Sequence, residues 1–366
     1  MEFSITREEL LSPLLVVNSI VEKRQTLPIL SNICIRVEDS VITLSATDLE
    51  VEMSVKVEMN GFTGSLETTV PARKLVDICK AAPTECLIKF KVEVEKVIVH
   101  AGRARFSLSA MDAREYPSIS LSGDATPISI SNSQLQDLLN LTQFAMAQQD
   151  VRYYLNGLFF DLQGPELVVV GTEGHRLATA KMAIEGADDR RQIIVPRKTV
   201  LEMLRLVDGS DNPVTLTLGN DHFMFESGAI LFKSKVIEGN FPDYRRVIPS
   251  GVNNRLVCGR SELKEVMSRV AILANEKYRA IRLRLGENNL ALSANNQENE
   301  EAEEDLDVTY SGEALEIGFN ASYFLDVLNA LGTEEVEINF GDSNSSCLIM
   351  APGNTDAQYV IMPMRL

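Results

Sequence analysis

The chain holds three histidines, His100, His175 and His222, which are its only candidates for an imidazole base near neutral pH. They fall in unlike local contexts. His175 lies in Thr172-Glu173-Gly174-His175-Arg176, with no Gly-x-Ser-x-Gly nucleophile elbow beside it. Phosphate-cradling patterns of the Gly-x-x-x-x-Gly-Lys and Gly-x-Gly-x-x-Gly types are absent. Carboxylates crowd together at Glu298, Glu300, Glu301, Glu303, Glu304, Asp305 and Asp307, but without the spacing and central glycine of a calcium loop. The five cysteines (Cys34, Cys79, Cys86, Cys258 and Cys347) are scattered, odd in number and never in a Cys-x-x-Cys pair. They read as small buried apolar residues of a reducing compartment, with no disulfide framework or zinc site. Neither a catalytic centre nor a cofactor or metal is expected.

What remains is recognition by charge and shape. The net charge is −17, which argues against wrapping nucleic acid with the whole surface. Residues 254–366 carry nine basic and nineteen acidic residues, so −10 of that charge sits there. In Arg103-Ala104-Arg105-Phe106-Ser107-Leu108, strand alternation turns Arg103 and Arg105 to one face and Phe106 and Leu108 to the other. The acidic run Glu298, Glu300, Glu301, Glu303 and Glu304 is a complement for those arginines. Ile272 and Leu273 are a complement for Phe106 and Leu108. A solvated acidic face is the plain alternative. The sharper expectation is an interface between two copies, oriented by complementary charge.

These segments must be positioned by something repetitive. Leu44-Ser45-Ala46-Thr47-Asp48-Leu49-Glu50, Val170-Gly171-Thr172-Glu173-Gly174-His175-Arg176 and Leu292-Ser293-Ala294-Asn295-Asn296-Gln297-Glu298 recur about 125 residues apart. Helix-opening signals recur at Arg7-Glu8-Glu9-Leu10, Asn132-Ser133-Gln134-Leu135 and Arg260-Ser261-Glu262-Leu263. A second set follows at Pro71, Pro196 and Asn320. The chain therefore reads as three similar α+β domains, 1–123, 127–250 and 254–366. Each holds two strand–helix–three-strand units. In the first domain strands are expected over 2–6, 30–37, 41–46, 51–57, 66–70, 87–92, 96–101 and 103–110. Helices are expected over 7–21 and 72–81. Thr6, Ser131 and Ser261 are the expected helix caps, and Pro13 predicts a kink or a late start in the first helix. Sheets joined edge to edge would leave a bare strand at each end of the chain, a hazard that a second copy docking head to tail removes. No run reaches membrane-spanning length, and the start is not a signal peptide. A cytoplasmic protein with no membrane partner is expected.

Longer motifs carry a resemblance. Thr69-Val70-Pro71-Ala72-Arg73-Lys74, Gln149-Asp150-Val151-Arg152-Tyr153-Tyr154-Leu155-Asn156-Gly157, Gly174-His175-Arg176-Leu177, Asn240-Phe241-Pro242-Asp243-Tyr244-Arg245-Arg246-Val247 and Tyr359-Val360-Ile361-Met362-Pro363-Met364-Arg365-Leu366 are similar to the bacterial sliding-clamp family, the beta subunit of DNA polymerase III. The likeness runs in order from Met1 to Leu366. It implies a head-to-tail homodimeric ring with helices inside and antiparallel sheets outside, encircling duplex DNA without reading sequence. It also implies a tether for the polymerase III alpha subunit, the clamp loader and other polymerases or repair proteins through short linear peptides.

The resemblance implies roles residue by residue. Leu155, Thr172, Gly174, His175, Arg176, Leu177, Pro242, Arg246, Val247, Val360, Met362, Pro363, Met364, Arg365 and Leu366 match the family's peptide pocket. Arg152, Tyr154, Tyr323 and Ser346 match its adjoining groove. Arg24, Arg73, Gln149, Tyr153, Tyr154 and Lys198 match DNA-facing positions. Lys74, Arg103, Arg105, Phe106, Leu108, Ile272, Leu273 and the five glutamates fall at the dimer interface. Two rival readings stand beside this one: a hydrolase or transferase, and a scaffold that does not thread DNA.

Overall fold

The computed structural model describes residues 1–22, 27–59, 61–120, 123–185, 189–251 and 253–365. The first third runs β1 (Glu2–Thr6), α1 (Arg7–Asn18), β2 (Asn32–Glu38), β3 (Val41–Thr47), β4 (Val51–Glu58), β5 (Ser65–Pro71), α2 (Ala72–Ala81), β6 (Leu87–Val92), β7 (Lys96–Ala101) and β8 (Ala104–Ser109). The second runs β9 (Ala125–Ser131), α3 (Asn132–Thr142), β10 (Gly157–Gln163), β11 (Glu166–Thr172), β12 (Arg176–Ala183), β13 (Arg190–Pro196), α4 (Arg197–Leu206), β14 (Pro213–Gly219), β15 (His222–Ser227) and β16 (Ile230–Lys235). The third runs β17 (Asn254–Gly259), α5 (Arg260–Val270), β18 (Ala280–Gly286), β19 (Asn289–Asn295), β20 (Glu301–Asp307), β21 (Thr309–Ser311), β22 (Leu315–Asn320), α6 (Ala321–Ala330), β23 (Glu335–Phe340), β24 (Cys347–Ala351) and β25 (Asn354–Ile361). The twofold strand–helix–three-strand order thus appears three times, with β21 as the one addition.

Local chemistry explains where the elements depart from expectation. Thr6 and Glu9 close a reciprocal capping box, so α1 starts at Arg7 and takes Pro13 inside rather than starting late. It ends at Asn18, short of residue 21, because the amides of Ser19, Ile20 and Val21 bond back only three residues. Pro28–Ser31 forms a single tight turn, which delays β2 to Asn32. Gly102 takes φ +62° in the β7–β8 turn, so β8 begins at Ala104 and leaves Arg103 in that turn. Gly259, not Ser261, precedes α5, which puts Ser261 inside the first turn. Ile272 and Leu273 lie in a short 3-10 turn, Ala271–Leu273, beyond the end of α5. All five cysteines are buried free thiols, and burial pushes Cys79 up to about 12.

The chain forms two compact units, Met1–Ser131 with Asp211–Val236, and Asn132–Ser210 with Ile237–Leu366. The first holds a four-stranded sheet, β1-β6-β7-β8, and an eight-stranded sheet, β5-β2-β3-β4-β16-β15-β14-β9. The second holds a nine-stranded sheet, β13-β10-β11-β12-β25-β24-β23-β17-β21, and a four-stranded sheet, β20-β19-β18-β22. The large sheets are four-stranded sheets fused edge to edge. β4 ladders with β16 from Val51↔Ser234 to Val55↔Ile230. β12 ladders with β25 from Arg176↔Ile361 to Ala180↔Ala357. Both joints are antiparallel and join corresponding half-repeats.

In the second unit, strand alternation divides the nine-stranded sheet between two cores. Ala178, Tyr359 and Ile361 face a core that includes Leu263, Val266, Phe324 and Leu328 of α5 and α6. Leu177 and Val360 face the other side, with Phe159, Val170, Tyr244 and Leu348. That second side carries the candidate pocket.

Candidate functional site

The β11–β12 hairpin is built by Thr172. Its Oγ1 donates to the Arg176 carbonyl at 2.6 Å and accepts from the Gly174 amide at 3.2 Å. Gly174 sits at φ +98°, and a Cβ there would meet the Arg152 guanidinium at 2.8 Å. Only glycine lets Arg152 lie across this turn. Arg152 pairs with Asp150 at 2.8 Å and donates to the Glu173 carbonyl at 3.0 Å. The Arg152 hydrogen bond holds the half-buried Asp150 carboxyl down at about 2.

Arg176 anchors the other side of the turn. Its guanidinium pairs with Asp326 of α6 and donates to the Phe144 carbonyl at 2.7 Å. It stacks 4.6 Å from the Tyr323 ring centroid and 5.4 Å from that of Phe144. Tyr323 donates its hydroxyl to Glu173 at 3.4 Å. Burial, then the Glu173 charge, raises the Tyr323 pKa.

The C-terminal residues lie beside this turn. Leu177 pairs with Val360, and the Met362 amide donates to the His175 carbonyl at 2.9 Å. The Met364 amide reaches the Gly318 carbonyl at 2.8 Å. Leu155 is buried, while His175, Met362 and Arg365 are exposed. Pro363, Met364 and Ser346 are half-buried. Leu366 lies outside the described residues. The 237–248 segment packs on the same core as Leu177 and Val360 through Ile237, Phe241, Tyr244 and Ile248. Within it Phe241 stacks on Phe159 at 4.7 Å, and Pro242, Arg246 and Val247 are exposed. Arg246 pairs with Asp243 at 2.9 Å.

Asp161 is the residue that reading the sequence missed. It is wholly buried, and it accepts from Tyr244 Oη at 3.0 Å, Arg245 Nη2 at 2.7 Å, Gln192 Nε2 at 3.0 Å and Gln163 Nε2 at 2.9 Å. Burial pushes its carboxyl up, but the bonds from Gln163, Gln192, Arg245 and Tyr244 outweigh that and hold it below the ordinary range. The available signal was one acid among apolar residues in Gly157-Leu158-Phe159-Phe160-Asp161-Leu162-Gln163. A lone buried carboxylate must find partners.

Models of the DNA polymerase III beta subunit match the chain three times: the N-terminal domain over residues 1–120, the central domain over 129–243 and the C-terminal domain over 245–365. The chain belongs to the sliding-clamp family. The beta sliding clamps of Pseudomonas aeruginosa and Escherichia coli K12 are 49% and 46% identical to it, each over the full length of both chains. The crystal structure of the polymerase III beta subunit from P. aeruginosa matches with a TM-score of 0.97 over the whole of both chains. A P. aeruginosa clamp structure solved bound to griselimycin matches at 0.96 with 49% identity and the same full coverage. The family consists of replication processivity factors, and the three-domain α+β architecture of this clamp is theirs.

The other expected surfaces of this clamp are less concentrated. Arg73 is exposed in the first turn of α2, and Lys198 is half-buried in the first turn of α4. Gln149 is exposed at φ +55°, and Tyr153 meets Tyr154 edge-on at 5.9 Å. Arg24 lies outside the described residues. Lys74, Arg103 and Arg105 are exposed, Phe106 is half-buried and Leu108 buried. Ile272 is 76% exposed beside the half-buried Leu273. Glu298, Glu300, Glu301 and Glu303 are exposed; Glu304 is half-buried and pairs with Arg269 of its own chain at 2.6 Å.

No helix among the described residues is long and apolar enough to cross a membrane.

Proposed function

We propose that two copies of this clamp close head to tail into a ring around duplex DNA and hold client proteins by short peptides. Unpaired edges carry this reading. Within the chain, β4 meets β16 and β12 meets β25, each time fusing two sheets. The corresponding strands β8 and β20 end their sheets among the described residues. Docking β8 on the partner's β20 makes the missing third joint in the same pattern and removes both edges. We divide the chain into domains at 1–123, 127–250 and 254–366.

The same logic supports the DNA-facing role. Arg73, Lys74, Arg197 and Lys198 open α2 and α4, and neither first turn holds an acid. Cations there oppose the helix dipole, so they serve something other than helix stability. A few mobile cations neutralise phosphates without reading bases, and topology supplies retention.

The groove formed by Arg152, Tyr154, Gly174, His175, Leu177, Pro242, Val247, Val360 and Met362 is the client site in this reading. Exposed methionine and proline beside a partly open apolar floor suit extended peptides with large apolar side chains. The griselimycin-bound relative supports a ligand site of this kind. The clamp acts in the cytoplasm, without catalytic chemistry of its own, and a polymerase, a loader and repair proteins are the clients. Retention on closed circular DNA, measured before and after linearisation, tests the ring. The reading requires stable retention on circles and rapid loss from linear ends. Equal retention on both, or none on circles, rejects it.

A further inference from the structure

The joint between β12 and β25 is hollow. Ala180 faces Ala357 across the ladder, and the β24–β25 register shifts beside them at Met350/Ala351. A cavity of about 300 Å³ opens there, with Leu138 and Leu141 of α3, Met182 and Leu331 completing its apolar lining. The other joint shows how this position can be filled. Thr47 and Thr172 start equivalent turns: each hydroxyl donates to a carbonyl four residues on and accepts an amide two residues on. Their ladder partners are Glu52 and Leu177. Three residues further along, Val55 and Ala180 are therefore equivalent, facing Ile230 and Ala357. Two branched side chains at one joint are two alanines at the other.

The rim has a sign. Asp137 is exposed on α3, and Asp356 lies 4.0 Å from Lys181, leaving one net negative charge among the three. We infer that this cavity is a binding site for a small cationic amphiphile, with a flat apolar ring against Leu138, Leu331 and the two alanines and an amine at the Asp137 rim. The volume suits a one- or two-ring body, at the small end of ligand sites. An anionic ligand of the same shape is disfavoured by the same carboxylates. This site involves none of the client-groove residues and does not depend on that reading.

Tryptamine is a suitable probe, with indole-3-propionate as its anionic counterpart. The chain has no tryptophan, so indole emission reports the ligand alone. Saturable one-to-one binding of tryptamine, weaker for indole-3-propionate, is expected. Ala180→Val with Ala357→Ile copies the filled joint and should weaken tryptamine binding roughly ten-fold or more by excluding the ring. Asp137→Asn should narrow the preference for the amine over the acid. Crystals of the unaltered protein soaked in tryptamine should show it between α3 and the β12–β25 joint, which tests the site even if the filled variant misfolds. Absence of saturable binding, equal binding to a folded filled variant, or density elsewhere overturns the proposal.

Discussion

Tyr244 donates its hydroxyl to the wholly buried Asp161 at 3.0 Å, and this bond fastens the 237–248 segment, a wall of the proposed client groove, to strand β10. Arg245 binds the same carboxylate. Pro242 and Val247 flank that pair in sequence, so their placement depends on the buried Asp161. Asp161→Asn should cost about 1–3 kcal/mol of stability, since the half-exposed Arg245 regains water while the buried acceptor is weakened. Client-peptide affinity, read by calorimetry, should fall several-fold with the mass of the assembly unchanged. The carboxyl is held below its ordinary range, so its contribution to stability is complete above that range and declines as pH falls through it, while within the folded protein the carboxylate itself stays ionised to lower pH. A Phe241→Trp reporter stacked on Phe159 should therefore keep its emission to below the usual aspartate range, and Asp161→Asn should shift it at neutral pH.

Arg176 tests how far an anchor for peptide is already committed to its own fold. Its side chain is 12% exposed and is occupied by Asp326, the Phe144 carbonyl and two aromatic faces. Arg176→Lys keeps the charge but loses the planar fork and the stacking. The expected result is a loss of about 2 kcal/mol in thermal or denaturant unfolding, with a weaker effect on peptide affinity than Met362→Ala. A variant of wild-type stability that cannot bind peptide would instead make Arg176 a direct ligand contact.

The threefold order, both helices of each third and the alternation of β8 were legible because periodicity and turn chemistry are local. The element ends were less so. Whether Val21 stays helical or Ser261 caps α5 turns on one hydrogen bond, which neighbours decide. The groove residues came from resemblance, not from spacing, since Leu177, Pro242 and Met362 are chemically ordinary. Asp161 stayed hidden because its partners Gln192 and Tyr244 lie 31 and 83 residues away. The fused sheets were foreseen as a principle, but which strands fuse is written only in the ladders.

Arg73 and Gln149 separate charge from contact in DNA engagement. Arg73→Ala removes a cation, so the slope of log affinity against log salt should shrink by about 0.9 for the one phosphate no longer neutralised. Gln149→Ala removes no charge and should lower affinity at every salt concentration while leaving the slope unchanged. Equal slopes for wild type and Arg73→Ala would take Arg73 off the DNA path.

The two joints inside the chain give the register of the proposed joint between copies. Phe232 faces Met53, Leu231 faces Ser54 and Tyr359 faces Ala178. Through the β7–β8 and β19–β20 ladders, Phe106 is the counterpart of Phe232, and Ala302 that of Met53. Phe106 of one copy then faces Ala302 of the other, and Arg105 faces Glu303. Glu304 is already paired with Arg269, and that bond holds its carboxyl below the ordinary range. Arg105→Glu should weaken dimerisation about ten-fold or more in sedimentation across a dilution series. Adding Glu303→Arg to it should restore much of the loss, whereas Glu304→Arg should not, because it also strands Arg269. Rescue by Glu304→Arg and not by Glu303→Arg would show that the joint between copies is shifted from the register of the joints within the chain.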